Sequence, residues 1–315
     1  MTTSGTRLRP PARRSWLRIL LTGLVLWLLT VTITFLTANP NLIPTLVLLG
    51  SFLVPVTFVV WAFERRDTGE LTPTLVFSTF LTGGVLGVLG ASVLESYLLR
   101  PSPWLFVGVG LIEEAVKLLA LAFLTRHLAD KSVRDGVILG AAVGFGFAAF
   151  ESAGYAFTAL FTVKGLSLMQ LVQTEVLRGL LAPVGHGLWT AILGGVLFSA
   201  STRDHFLITG RLVLTYLGVS ALHALWDSMH SIALVVMLLL TSTPGQLDLL
   251  RQGWVPNPTP AQLQSFTVLY WAGLALTSVI GLAWLFGLWR STRRVRRVPP
   301  AWRIPTGGMP PPRGR

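Results

Sequence analysis

The chain has 315 residues, of which 52% are hydrophobic and only 12% charged, and its mean hydropathy is +0.66. A soluble domain carries about twice this charged fraction, so the composition excludes an ordinary globular protein and indicates an integral membrane protein. The net charge of +12 comes from basic residues between apolar blocks and at both ends, and the absence of cysteine excludes disulfides, thiolate catalysis and cysteine metal sites.

Apolar blocks long enough to cross a bilayer follow one another along the chain. Each predicts a transmembrane helix, because an open sheet would leave backbone groups without partners in lipid. The first block is too long for the apolar part of a cleaved signal peptide, so we expect it to remain as a span. The seventh is long enough to contain a kink. The sequence predicts eight spans, near residues 16–38, 42–63, 74–95, 104–125, 134–163, 179–200, 212–242 and 266–289.

The positions of the basic residues indicate how these spans are oriented. With the N-terminus inside, twenty of the 25 Lys and Arg residues fall in cytoplasmic segments and four in the opposite loops, which is the positive-inside pattern. We expect an all-α, polytopic transmembrane helical bundle in the inner (plasma) membrane, with both termini cytoplasmic. The helical domain covers 1–298, and the Pro- and Arg-rich segment 299–315 is predicted to be a disordered tail. No nucleic-acid partner is expected, because the basic residues lack a folded platform.

Two series of glycines spaced by four residues stand out within the predicted spans. They are Gly136-Gly140-Gly144 in the fifth block and Gly83-Gly87 in the third. Glycines at this spacing share one helix face and allow a neighbouring helix to approach closely. We therefore predict close helix packing at both places.

Ionisable residues inside the predicted spans are the candidates for function. On the insertion scale a charged group near the bilayer centre costs roughly 2.5–3.5 kcal/mol, so such groups must pair, stay neutral or line a polar cavity. Residues of this kind are functional candidates by default. They are Glu113, Glu114, Lys117, Glu151, His186, His223, Asp227 and His230.

Helical spacing places several of these residues on shared faces. Glu113 and Lys117 are four residues apart, with Glu114 one position round the helix. Lys117 can therefore neutralise one carboxylate and leave the other as a base, although this motif alone is also consistent with a structural ion pair. His223 and Asp227 are again four residues apart and share a face.

The depth of the candidates in the bilayer is compatible with one shared chamber. At a rise of about 1.5 Å per residue, the candidates from four separate spans fall in the outer half or the middle of the bilayer. A single polar chamber reached from outside can therefore hold them. The residues placed in this way are Glu113, Glu151, His186 and Asp227.

Converging carboxylates and imidazoles support two kinds of hydrolytic site. They can hold a zinc-type ion with three protein ligands and one water, or a glutamate can activate water directly while histidines stabilise the oxyanion. The spacing is not H-E-x-x-H, which excludes an ordinary zincin. Two other classes stay open: a proton-coupled transporter, since such residues also build proton relays, and a non-catalytic membrane scaffold.

Four motifs occur in order within residues 70–240, each on its own predicted span. Together they resemble the PrsW family of bacterial intramembrane proteases, generally classed as metalloproteases and related to the CAAX prenyl protease and bacteriocin-immunity superfamily. One departure is Ser152, where the family commonly has asparagine. The motifs are Glu113-Glu114-x-x-Lys117, Gly144-x-Gly146-Phe147-x-x-x-Glu151 with Tyr155, Arg178 with His186 and Gly194, and His223-x-x-x-Asp227.

The resemblance implies hydrolysis of a peptide bond of a membrane-protein substrate, such as an anti-sigma factor or another regulator, within or beside the lipid bilayer. Water activation is assigned to Glu113 or Glu114; Glu113 is the preferred base, but the sequence does not decide between them. A bound zinc or other divalent metal is expected, and no oligomeric state is predicted. The ligand or oxyanion set is Glu151, His186, His223 and Asp227, supported by Lys117, Phe147 and Arg178.

Overall fold

The computed structural model shows a bundle of helices and describes residues 14–66, 71–129, 131–202, 205–254 and 256–295, with side chains as far as Arg290. The predicted tail 299–315 and both chain termini lie outside these residues. The all-α prediction is confirmed, apart from one short hairpin of β1 (Phe161–Thr162) and β2 (Gly165–Leu166). The helices are α1 (Ser15–Thr37), α2 (Ile43–Phe63), α3 (Pro73–Leu98), α4 (Leu105–Thr125), α5 (Val133–Ala159), α6 (Leu168–Leu181), α7 (His186–Ala200), α8 (Gly210–Thr241), α9 (Pro244–Arg251) and α10 (Pro260–Val295).

By length and composition, seven helical segments of the described chain can cross a membrane, with α6 and α7 counted as one segment, Leu168–Ala200. The helix α4 is not among the seven, although its 21 residues give it the length of a span, because it carries three charged residues. These charges are buried inside the protein rather than facing lipid. Counting α4 gives the eight spans predicted from the sequence.

The helix α5 forms the centre of the bundle. In its most apolar stretch 83% of the residues are buried, compared with 6% in α1 and 17% in α10. It packs against α7 on one side and α3 and α2 on the other. Because α5 carries the Phe147–Glu151 motif, this position brings the motif into the protein interior.

The glycine series make the close packing of α5 possible, as predicted. A Cβ atom at Gly144 would overlap the carbonyl oxygen of His186 at the start of α7. On α3, a Cβ at Gly83 would lie 2.9 Å from the Val143 side chain, and one at Gly87 would lie 2.8 Å from the ring of Phe147. The site residues of α5 and α7 therefore sit close together because the glycines lack side chains.

The span Leu168–Ala200 is broken inside the bundle. The helix α6 ends at Leu181, a 3-10 turn covers Ala182–Val184, and α7 begins at His186. Pro183 cannot continue the hydrogen-bond ladder, and Gly185 leaves the helical conformation with φ −103° and ψ −130°. The prediction of one continuous helix over 179–200 is therefore wrong. The seventh block forms the single helical element α8, Gly210–Thr241.

Candidate active site

Lys117 lies at the centre of a buried polar cluster and has no exposed surface. Its Nζ atom lies 2.6 Å from Oε1 of Glu114 and 3.3 Å from Oε2 of Glu113, so the helical spacing of α4 brings both carboxylates to one ammonium. The same Nζ lies 3.0 Å from Nδ1 of His186 and 4.2 Å from the centre of the Phe147 ring. One positive charge is thus shared by two carboxylates.

The two adjacent glutamates of α4 differ in access. Glu114 is fully buried and makes the shorter contact with Lys117. Glu113 keeps 6% of its surface exposed and lines a cavity of about 430 Å³. Of these two glutamates, only Glu113 therefore faces a space into which water and a substrate can enter.

His223, on α8, is held by a carboxylate on one side of its ring. Nδ1 lies 3.0 Å from Oε1 of Glu114. The other ring nitrogen, Nε2, lies 3.2 Å from Oδ2 of Asp227 and 3.7 Å from Oε2 of Glu113. Although Asp227 is near, the geometry does not form a hydrogen bond, and Nε2 is a buried polar atom without a hydrogen-bond partner among the described residues. The ring lies 4.5 Å from that of Trp189, which fixes its plane.

His186, at the start of α7, is held by a carboxylate in the same way as His223. Nε2 lies 3.0 Å from Oε2 of Glu151, and Nδ1 lies 3.8 Å from Oε2 of Glu113. Glu151 is also paired with the guanidinium of Arg178, whose Nε donates a hydrogen bond of 2.8 Å to Oγ of Ser152. Arg178 therefore fixes the carboxylate that in turn holds His186.

The two histidines converge on Glu113. Each has one ring nitrogen against a supporting carboxylate and the other toward Oε2 of Glu113, and one donor atom from each of the three residues lies within 4.8 Å of the others. Carboxylate-supported imidazoles are the usual arrangement of metal-binding histidines, and a three-residue N/O donor set suits a catalytic zinc-type ion. The residues therefore fit a divalent cation. The sequence-based ligand set included Glu151 and Asp227, but here Glu113 is the carboxylate that lies within 4 Å of both imidazoles.

Carboxyl groups outnumber permanent cations around this cluster. Five carboxylates lie in or beside the cavity, whereas the permanent cations that contact them are Lys117 and Arg178. Buried charges are costly unless they are compensated, so the imbalance favours a cationic occupant. The carboxylates belong to Glu95, Glu113, Glu114, Glu151 and Asp227.

A cavity of about 430 Å³ opens beside the cluster. Residues from α4, α5, α7 and α8 meet in it, as expected for one shared chamber, while Glu114, Lys117 and His223 form the buried layer next to it. All six residues predicted as catalytic are brought together by these contacts. His230 is not part of the group, because its ring packs 5.0 Å from that of Phe266 on α10. The predicted residues that line the cavity are Glu113, Phe147, Glu151, Arg178, His186 and Asp227.

Two residues of the site were missed in the sequence. Glu95, near the end of α3, lines the same cavity, and its Oε1 atom is buried without a hydrogen-bond partner in the described part of the chain. Its signal was an acid at the edge of the third apolar block. Trp189 packs against both imidazole rings, at 5.3 Å from His186 and 4.5 Å from His223. Its signal was the i,i+3 spacing after His186, but an aromatic residue at this spacing also occurs in an ordinary helix core.

Comparison with known proteins gives one match. Residues 71–245 match the family model described as PrsW family intramembrane metalloprotease. The matched segment covers more than half of the chain and contains every residue of the cluster described above. No curated protein and no solved structure matches the chain.

Proposed function

The chain belongs to the PrsW family of intramembrane metalloproteases, and on this premise we propose that it hydrolyses a peptide bond of a plasma-membrane protein with water activated by Glu113. Membership of the family identifies a multi-pass membrane protease and disfavours the transporter and scaffold hypotheses. The observation that carries the proposal is the convergence of two carboxylate-supported imidazoles on a glutamate that lines a cavity.

Glu113 is assigned as the general base because it belongs to the buried polar cluster and also lines the cavity. Its carboxylate takes a proton from a water molecule, and the resulting hydroxide attacks the carbonyl carbon of the substrate. The same proton then passes from the Glu113 carboxyl to the leaving amine nitrogen as the C–N bond breaks. Nζ of Lys117 restrains the Glu113 carboxylate at a distance of 3.3 Å. The shorter contact of Nζ with Glu114 keeps the lysine charge largely compensated.

His186 and His223 are the residues that would hold a divalent cation such as zinc, and with Glu113 acting as the base the third ligand would be Asp227, which lies 3.2 Å from Nε2 of His223. When bound, the cation supplies Lewis-acid polarisation of the substrate carbonyl or of the water. Glu151 and Glu114 orient the two rings through their other nitrogens, and Asp227 lies on the free side of His223. Lys117 lies 3.0 Å from Nδ1 of His186, the nitrogen that faces Glu113, so a bound cation would require Nζ to move away from this nitrogen.

The base is tested with Glu113→Gln, which keeps the size and an oxygen ligand but removes the basicity. We expect a loss of about 10²–10⁴-fold in kcat, the usual contribution of general acid–base catalysis. Cleavage of a single-span membrane substrate by the reconstituted protein and metal content by elemental analysis are measured on the same sample. Asp248→Asn, a largely exposed acid outside the site, is the matched control.

The outcomes separate base from ligand. Glu113→Gln with wild-type metal content and lost cleavage supports the assignment, whereas simultaneous loss of metal and cleavage makes Glu113 a ligand instead. His186→Gln and His223→Gln are expected to lose metal and cleavage together. Wild-type cleavage by Glu113→Gln or by both histidine variants refutes the proposed site.

A further inference from the structure

Glu175 is a buried acid that the proposed mechanism does not use. It lies on α6, within the membrane-crossing segment Leu168–Ala200, and only 3% of its surface is exposed. A Cβ atom at Gly50 of α2 would overlap the Glu175 carboxyl, so this glycine provides the space that the carboxyl occupies. One carboxyl oxygen, Oε1, is buried without a hydrogen-bond partner in the described part of the chain. An acid in this position is costly unless the surrounding protein compensates it.

The compensation comes from α1, a helix whose most apolar stretch is only 6% buried. Nε1 of Trp27 donates a hydrogen bond of 2.8 Å to Oε2 of Glu175. Among the described residues, this is the one side-chain hydrogen bond that joins α1 to α6. The indole N–H is therefore the donor that holds the carboxyl against α1 and α2.

The helix α6 also carries Arg178, one turn after Glu175. Residues three apart on a helix are neighbours on its surface, but here the two side chains have different partners. Glu175 is held toward α1 and α2, whereas Arg178 is paired with Glu151 of α5 and donates from Nε to Oγ of Ser152. The guanidinium is thus left for the carboxylate that holds His186.

We propose that Trp27 and Glu175 form a latch that keeps Arg178 paired with Glu151 and so positions His186; this inference rests on the proposed function. Without the indole donor, Glu175 has no partner among the described residues, and its helical spacing places Arg178 beside it. A buried carboxylate without a partner is strongly unfavourable, so it would compete for the guanidinium. Glu151 would then hold His186 less firmly.

The latch residues are positioning residues, since neither of them lines the catalytic cavity. Trp27→Phe keeps an aromatic ring and removes the N–H donor. Partners that orient a metal-binding imidazole contribute about 10–100-fold to activity or metal affinity, so we expect kcat to fall about tenfold with KM unchanged. Cleavage of a single-span substrate by the reconstituted full chain measures both. Trp271→Phe is the matched control, because this indole is 45% exposed on α10 and lies outside the cavity lining.

A rescue experiment separates the latch from simple packing of α1. Adding Glu175→Gln to Trp27→Phe removes the charge that competes for Arg178, so kcat is expected to return toward the wild-type value. Glu175→Gln by itself is expected to cost less than Trp27→Phe, since the amide oxygen can still accept from the indole. A double variant as slow as Trp27→Phe, or a wild-type rate for Trp27→Phe, overturns the proposal.

The pairing of Arg178 is also measured without cleavage, from its Nε–H signal in the magnetic resonance spectrum of the full chain with isotope-labelled arginine. Loss of this signal in Arg178→Lys assigns it. We expect Trp27→Phe to shift the signal and the double variant to return it, and an unchanged signal in Trp27→Phe overturns the latch. A wild type that does not cleave refutes the proposed function alone, and the signal then decides whether the latch exists.

Discussion

The inner and outer helices of this bundle differ in what their side chains face. The inner helices α5 and α7 are packed through glycines and are largely buried, whereas α1 and α10 expose most of their apolar side chains. The ion pairs of the candidate active site lie within α4, between α5 and α6, and within α8. The outer helices face outward with apolar side chains, whereas the charged side chains lie in the interior between helices.

The difference shows how a membrane protein tolerates so many ionisable groups. Lys117, Glu114 and His223 are almost completely shielded, so their partners must all come from the protein. Removing one partner then leaves a charge that neither water nor lipid can compensate. Substitutions on the outer surface carry no such penalty, and the following predictions are arranged to test this contrast.

Lys117→Met is expected to have the largest effect on stability. It leaves two buried carboxylates without their ammonium, and breaking a buried pair in this way costs about 3–5 kcal/mol of the free energy of unfolding. Lys164→Met, in the exposed hairpin, is expected to change little. Thermal unfolding in detergent measures both. If the two lysine variants unfold at the same temperature, the inner cluster is not held by charge.

The double variant Lys117→Met with Glu114→Gln sharpens the same test. It removes a charge from each side, so part of the lost stability is expected to return even though two contacts are missing. Additive destabilisation of the two single changes would instead indicate that the side chains act only through packing.

Gly144→Ala and Gly287→Ala are expected to have opposite signs. The added methyl at Gly144 would overlap the backbone of His186, and overpacking of this kind costs about 1–3 kcal/mol and displaces the imidazole. Gly287 on α10 has open space at the Cβ position, so alanine there is expected to stabilise the helix by about 0.5–1 kcal/mol. Unfolding temperatures and cleavage rates measure both, and equal effects would contradict the proposed role of the α5–α7 contact.

Glu95→Gln is expected to have the smallest effect. Its unpaired oxygen contributes no hydrogen bond to the fold, so stability is expected to stay unchanged. The lost charge weakens binding of a substrate with a basic residue beside the cleaved bond, and we expect KM to rise about fivefold for that substrate alone. Glu64→Gln is the control outside the cavity. An equal rise for a neutral substrate would show that Glu95 acts through the shape of the cavity.

The large features of the fold follow from the sequence because each depends on a local pattern. Apolar blocks define the spans, and four-residue spacing predicts the contacts of Glu113 with Lys117 and of His223 with Asp227. The glycine series predicts the approach of α5 to its neighbours. Each of these inferences needs only the geometry of one helix and the cost of charge in lipid.

Details that depend on two helices could not be predicted in the same way. The pairing of Glu114 with His223 and of Glu151 with His186 requires the relative rotation of separate helices, which no local pattern fixes. The break before His186 was visible as a proline and a glycine, but an apolar run of this length also fits an unbroken helix. The carboxylate pairs that turn both histidines toward Glu113 could therefore be identified only in the structure.

The short non-helical stretch before α7 has a consequence for the kind of peptide that can be cut. A peptide bond inside a helix hides its carbonyl oxygen in the helical ladder, so the target must uncoil before a base can reach it. Ala182 and Gly185 lie along the wall of the catalytic cavity with their backbone outside α6 and α7. Targets whose own helices are weakened by proline or glycine near the scissile bond would therefore be processed first.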